Sequence, residues 1–240
     1  MEKDYKTRNE IINKKELIDV LDNNKEMANL INTYLTPKKR IKENSLQKGN
    51  VEYINKRYTN DKIDLIYKWK KEEVIFLIKY QFDLDDNLPL KILSYCIDIM
   101  REGIKNSKQK NIIYPIVVPI VVYVNNKKCK VTNNFKYIQI EDSMYRKYKI
   151  DMKYNLIDIN RLSTSFLLNN RSIFGYIMLL LKSEDKDKFE KNLNIILKIE
   201  KKNKELYEKI IKIFNLESEV QRSKINTLRK LKYLLENKDL

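Results

Sequence analysis

Histidine is absent from the 240 residues, which excludes imidazole-based catalysis and leaves no partner for a zinc-type or thiol–imidazole constellation. Cysteine is nearly absent too: Cys96 and Cys129 stand alone, 33 positions apart. Long apolar runs are also missing. The longest, Ile112 to Val124, has thirteen residues and contains Pro115 and Pro119. A membrane helix needs ~20 apolar residues, so the run reads as a buried strand and no membrane association is expected. The start, Met1-Glu2-Lys3-Asp4, lacks the apolar stretch of a signal peptide, so a reduced, cytoplasmic protein is the expectation. No solenoid-type repeat is visible.

Cations are what the chain has in excess. Lys plus Arg total 49 against 33 Asp plus Glu, a formal net charge of +16. A field of that sign draws a protein towards polyanions, with nucleic acid the first candidate. A Lys- and Asn-rich composition would give the same count on ordinary solvated faces. Sixteen tyrosines interleaved with the lysines suit nucleic-acid stacking, and equally an α/β core with phenol groups at its edge.

At this length the chain can bury a substantial core, and one α/β domain with a helical extension is the preferred division. Leu17, Ile18, Val20, Leu21, Met27, Leu30, Ile31 and Leu35 recur at near-helical spacing, predicting one helix or a broken pair over 15–35 that ends at Thr36-Pro37. Lys38 to Gly49 carries five cations and one acid and reads as an exposed connection. The period then changes. Val51-Tyr53, Ile63-Leu65-Tyr67-Trp69 and Val74-Phe76-Ile78 alternate as three strands, with turns at Asn60-Asp61 and Lys70-Lys71-Glu72. Pro89 opens a helix that repeats Leu93, Ile97 and Met100 and ends near Gly103. Ile112 to Tyr123 follows as a buried strand whose prolines require irregular pairing on one side. Asn125-Asn126 reads as a turn into a strand over Lys128–Val131, and Tyr154–Ile159 as another strand.

Beyond Arg161 the pattern is helical. Phe189, Leu193, Ile196 and Leu197, then Leu206, Ile210, Ile211 and Phe214, then Leu228, Leu231 and Leu235 form apolar stripes on charged helices. Residues 1–160 are therefore assigned to the α/β domain and 161–240 to a helical extension. An isolated stripe cannot bury itself. Its partner is the sheet, a neighbouring tail helix, or a second protomer, which makes a homodimer through the tail one expectation.

The chemistry-bearing residues lie between the second and third strands. Asp64 precedes an apolar strand, and Lys79-Tyr80-Gln81 follows the run Val74-Ile75-Phe76-Leu77-Ile78. An acid at the start of one strand and a polar cluster at the end of the next is how a metal-dependent nuclease arranges its ligands. Alternation puts Lys79 and Gln81 on one face, within reach of Asp64 on the neighbouring strand. Here a lysine stands where a second acid would be expected.

The element order, α-β-β-β-α-β, matches a PD-(D/E)XK nuclease core, and four ordered blocks are more specific. Asp64-Leu65-Ile66-Tyr67-Lys68, Phe76-Leu77-Ile78-Lys79-Tyr80-Gln81, Asn87-Leu88-Pro89-Leu90-Lys91-Ile92-Leu93-Ser94-Tyr95 and Pro115-Ile116-Val117-Val118-Pro119-Ile120-Val121-Val122-Tyr123 resemble successive blocks of the recombination-promoting nuclease (Rpn) family of PD-(D/E)XK-type transposases. The resemblance covers roughly Val51 to Asn160. It implies a restriction-endonuclease-like mixed sheet and, in active members, a Mg²⁺ ion that activates water against a DNA phosphodiester.

Carried over by position, Asp64 is the first metal ligand, Gln81 the last residue of an E-x-Q motif, and Lys79 occupies the Glu position. The Tyr80 carbonyl would be a further oxygen ligand. Mg²⁺ is a hard ion that wants oxygen, so the exchange implies weak or lost cleavage on a retained fold. Lys38, Lys39, Arg40, Lys42 and Lys91 are the candidate DNA contacts, Lys91 standing where the family has Arg. The alternatives are an active Mg²⁺-dependent endonuclease with an acid recruited from Asp98, Glu102 or Glu52, and an oligomeric interaction protein whose charge is incidental. Tyr95 reads as packing, and Asp158-Ile159-Asn160 as the close of a strand.

Overall fold

A computed structural model describes residues 12–52, 64–105, 113–125, 127–201 and 203–214. The chain divides into two compact units, one built from Leu30–Tyr123 and Lys128–Asp158, the other from Met1–Asn29, Val124–Lys127 and Ile159–Leu240. Its architecture is mixed α/β, compatible with a restriction-endonuclease-like core.

The first unit holds a five-stranded sheet in the order β1 (Leu46–Lys48), β2 (Leu65–Trp69), β3 (Val74–Gln81), β4 (Ile116–Tyr123), β5 (Asn155–Asp158). β1, β2 and β3 pair antiparallel, while β3–β4 and β4–β5 pair parallel. A parallel pair needs a crossover, and helix Leu88–Lys105 supplies it between β3 and β4. Its apolar positions recur at three- and four-residue steps. Leu88, Ile92, Tyr95, Cys96 and Ile99 pack with Ile66, Leu77, Val121 and Tyr154 into one buried cluster. Tyr95 is wholly buried there, as packing requires.

β4 lies inside the sheet between β3 and β5, as its β-branched run predicts, and the prolines explain its pairing. The ladder with β3 runs the full strand, whereas the ladder with β5 begins only at Ile120, just past Pro119. The Asn155 side-chain amide donates to the Pro119 carbonyl at 3.2 Å in place of a further rung.

Two predicted strands differ from the observed ones. The first lies at Leu46–Lys48, within the segment read as an exposed connection, and Val51 and Glu52 lie outside any strand. Only Leu46 points into the core from β1, while Gln47 and Lys48 are exposed, so three residues carry no alternation to read. Ile41 is also buried, its backbone held by both ends of the Asn32 amide at 2.7 and 2.8 Å. Lys128–Val131 forms no strand, because the Cys129 N–H donates to the Asp158 carboxylate at 2.9 Å instead of to a neighbouring strand. Tyr53, the Asn60-Asp61 turn, Ile63, Ile112, Asn126 and the stripe Leu228, Leu231 and Leu235 lie outside the described residues.

Among the described residues the α-helices are α1 (Lys14–Leu21), α2 (Asn24–Tyr34), α3 (the Leu88–Lys105 crossover), α4 (Thr164–Asn169), α5 (Ile173–Leu181), α6 (Lys186–Ile199) and α7 (Lys204–Ile213). α2 crosses the division between the units. The predicted 15–35 helix is a broken pair because Asn23 caps the second half, its side chain accepting the Glu26 N–H at 2.9 Å. Asn13, Ser163, Ser172, Asp185 and Asn203 cap α1, α4, α5, α6 and α7 in the same way.

In the second unit α5 buries every residue from Phe174 to Leu181. The amphipathic helices around it bury one face each: Phe189, Leu193, Ile196 and Leu197 on α6, and Leu206, Tyr207, Ile210, Ile211 and Ile213 on α7. α1 packs against α7, and the Asn13 N–H donates to the Ile213 carbonyl at 2.7 Å. The two described tail stripes thus find partners in neighbouring tail helices and in α1. Among the described residues no helix is long and apolar enough to cross a membrane.

Candidate functional site

Asp64 stands immediately before β2. Its backbone N–H reaches the Ile78 carbonyl at 3.3 Å, and its side chain turns onto β3. There the Tyr80 backbone N–H donates to Asp64 Oδ2 at 2.6 Å, and Lys79 Nζ lies 4.0 Å from the same oxygen. The predicted pair therefore meets. Both ends are largely removed from water, with 11% of the Lys79 side chain and 14% of the Asp64 side chain accessible. At that separation and an effective dielectric of 20 the direct attraction is about 4 kcal/mol before desolvation.

Gln81 follows two residues along the same face of β3, buried, its amide nitrogen donating to the Asp83 carbonyl at 2.8 Å. β3 lies against β4 here, Lys79 opposite Val121 and Gln81 opposite Tyr123. Burial, with Cys129, Asp158 and Asp83 close by, pushes the Tyr123 phenol up. Asp158 ends β5, as the sequence suggests, and its carboxylate holds the Cys129 backbone.

Asp98 is buried on α3, with Oδ1 3.7 Å from the Arg101 guanidinium. Glu52 is exposed. Among the described residues no group of three or more His, Cys, Asp or Glu side chains is disposed to hold a metal ion, so Asp98, Glu102 and Glu52 do not assemble with Asp64 into such a set.

Lys91 is in an ion pair with Asp85 at 2.7 Å at the start of α3. Lys38, Lys39, Arg40 and Lys42 are exposed on the segment before β1. Lys39, Arg40 and Lys42 line an open groove with Trp69, Lys70 and Lys71, at the opposite end of β2 from Asp64. Five residues of strand separate Asp64 from Trp69, roughly 17 Å of rise. In sequence, Trp69 reads as the end of an alternating strand and Lys70-Lys71 as a turn. The available signal was two lysines placed directly after an aromatic residue.

A mixed sheet of three antiparallel strands, a crossover helix and two further parallel strands, with an acid and a polar strand end meeting between β2 and β3, makes this an α/β protein compatible with a restriction-endonuclease-like core. The chain matches the family described as "Putative transposase, YhgA-like" over residues 15–222, and it belongs to that family. No curated protein and no solved structure matches it.

Proposed function

We propose that this protein is a cytoplasmic, DNA-binding member of the Rpn/transposase group in which Lys79 takes the place of the metal-binding Glu and cleavage is weak or lost. The contact between Lys79 Nζ and Asp64 Oδ2 at 4.0 Å carries the reading. A divalent cation at Asp64 would need a second hard oxygen donor where this ammonium lies. Lysine offers donors and charge but no lone pair when protonated. The Gln81 amide, already donating to Asp83, does not replace a carboxylate. The donor set does not fit Mg²⁺, and the lysine supplies the neutralising charge without the Lewis acid.

The test is plasmid nicking with Mg²⁺ or Mn²⁺, together with calorimetry of the Lys79→Glu variant. The expected results are intact plasmid with the wild type and divalent-cation binding gained by the variant. Metal-dependent nicking by the wild type that disappears in Asp64→Ala overturns the reading. Binding to duplex DNA should weaken steeply with salt and depend little on sequence, as phosphate contacts dictate.

One observation favours a second reading, a non-enzymatic interaction protein that assembles as a homodimer. Tyr137, Ile140, Met144 and Tyr148 are each 70–90% exposed within one stretch of the sheet unit. A DNA affinity undetectable at both low and physiological salt, with a dimer by light scattering, would favour it.

A further inference from the structure

The segment entering β1 and the β2–β3 turn form the two walls of the groove, and the Lys70 N–H joins them by donating to the Ser45 carbonyl at 3.1 Å. The groove measures about 370 Å³. Its lining carries five cations, Lys39, Arg40, Lys42, Lys70 and Lys71, one aromatic side chain, Trp69, and no carboxylate. Lys39 Nζ lies 5.8 Å from the centre of the Trp69 ring and 2.9 Å from Glu72 just outside. With the Lys39 side chain 66% exposed, that pair is a surface one, of the kind that yields readily to a stronger anion.

We infer that this groove binds unpaired nucleic acid, one base stacking on Trp69 while the adjoining phosphates lie against Arg40, Lys42, Lys70 and Lys71. The inference rests on the DNA-binding reading above and adds the substrate form and the residues. Cations alone would take any phosphate backbone. The aromatic ring decides between forms, because the faces of a base are reachable only when it is unstacked, and aromatic platforms among cations are how single strands are held. A volume near the bottom of the ~300–1,000 Å³ range of ligand sites has room for a nucleotide unit. Since the groove lies at the far end of β2 from Asp64, binding does not depend on the state of the Asp64–Lys79 pair.

Trp69 is the one tryptophan of the chain, so intrinsic tryptophan fluorescence of the full-length protein reports this site alone. A short oligothymidylate, a blunt duplex of equal length and thymidine monophosphate are titrated separately, with binding of labelled oligonucleotides followed by anisotropy. The single strand should quench Trp69 and bind more tightly than the duplex. With three to five phosphates engaged, its affinity should fall about 20- to 130-fold between 50 and 200 mM salt. Trp69→Ala should weaken single-strand binding about 5- to 150-fold, with Trp69→Phe largely restoring it. The paired Lys70→Glu, Lys71→Glu variant should abolish the quench.

Duplex binding with a salt slope, a silent Trp69 and an unaffected Trp69→Ala variant would overturn this inference and leave the DNA reading standing. Absence of binding to either polynucleotide would overturn both. Quenching by the mononucleotide at an affinity equal to that of the strand would make this a nucleotide site and overturn the assignment to single strands. Quenching in the wild type is read without any substitution, so a variant that fails to fold does not remove the test.

Discussion

Replacing Lys79 by Met keeps the length and apolar stem of the side chain and removes its charge. Asp64 is then left with the Tyr80 N–H at 2.6 Å but without the ammonium at 4.0 Å. The direct attraction of about 4 kcal/mol exceeds the expected loss, because the substitution also removes the desolvation cost that lysine incurs on folding. With roughly a tenth of each side chain accessible, a net loss of about 2 kcal/mol is expected. For a chain of this size that corresponds to roughly 4–8 °C in Tm.

Asp64→Asn keeps an oxygen for the Tyr80 N–H, so the double variant removes both charges while sparing that hydrogen bond. It should be more stable than Lys79→Met alone, with a coupling of at least about 1 kcal/mol between the sites. Urea unfolding followed by Trp69 fluorescence measures this within the same sheet, since Trp69 ends the strand that Asp64 immediately precedes. Additive losses, or a Lys79→Met variant as stable as the wild type, would refute the view that lysine fills the role of the metal's charge.

Gly175→Ala should destabilise the helical unit by about 1–3 kcal/mol despite alanine's higher helix propensity, because an added Cβ would meet the Leu167 carbonyl oxygen at 2.4 Å and backbone must move. An unchanged or raised thermal midpoint would count against the close α4–α5 approach. Stability should also fall at alkaline pH. Burial pushes the Cys96 thiol from 9.0 up to about 12, so the unfolded chain releases this proton first. The contribution is present below pH 9 and is lost progressively as pH rises towards 12, by up to about 1.4 kcal/mol per unit. The buried phenols of Tyr34 and Tyr154, also raised, act with the same sign. Urea midpoints on either side of pH 9 should show the decline, and Cys96→Ala should flatten it.

The core of the fold was readable because its elements carry strong periods. β3 and β4 are nearly continuous apolar runs, and α3 is legible as a helix. Its buried face, however, is Leu88, Ile92, Tyr95, Cys96 and Ile99 rather than the expected Leu93, Ile97 and Met100, with Ile97 39% exposed. Apolar residues occupy both faces of α3, and spacing alone does not say which one meets the sheet. The Asp64–Lys79 meeting was readable because strand alternation fixes which side chains share a face. β1 was not, since a three-residue edge strand with one inward side chain has no period. The Cys129 segment was misread because its backbone donor is satisfied by a side chain 29 residues away, and no local pattern encodes such a partner. The groove was half readable. Lys39, Arg40 and Lys42 announce themselves as a charge cluster, but only the β1–β2 register, which sets Leu46 against Trp69, brings them beside Lys70 and Lys71.

That register separates two chemistries on one strand. At the start of β2 a carboxylate faces a buried ammonium at 4.0 Å. At its end, five cations and an indole surround an open groove on the edge of the sheet. A buried ion pair has two discrete states, made or broken, and its influence falls off with distance and screening. At about 17 Å, roughly twice the Debye length at physiological salt, the charge on residue 79 exerts little pull on a phosphate in the groove. The two ends should therefore respond independently to substitution. A Lys79→Glu variant that gains cation binding should retain the same nucleic-acid affinity and salt slope as the wild type, and a large change in either would mean that the strand couples what the geometry keeps apart.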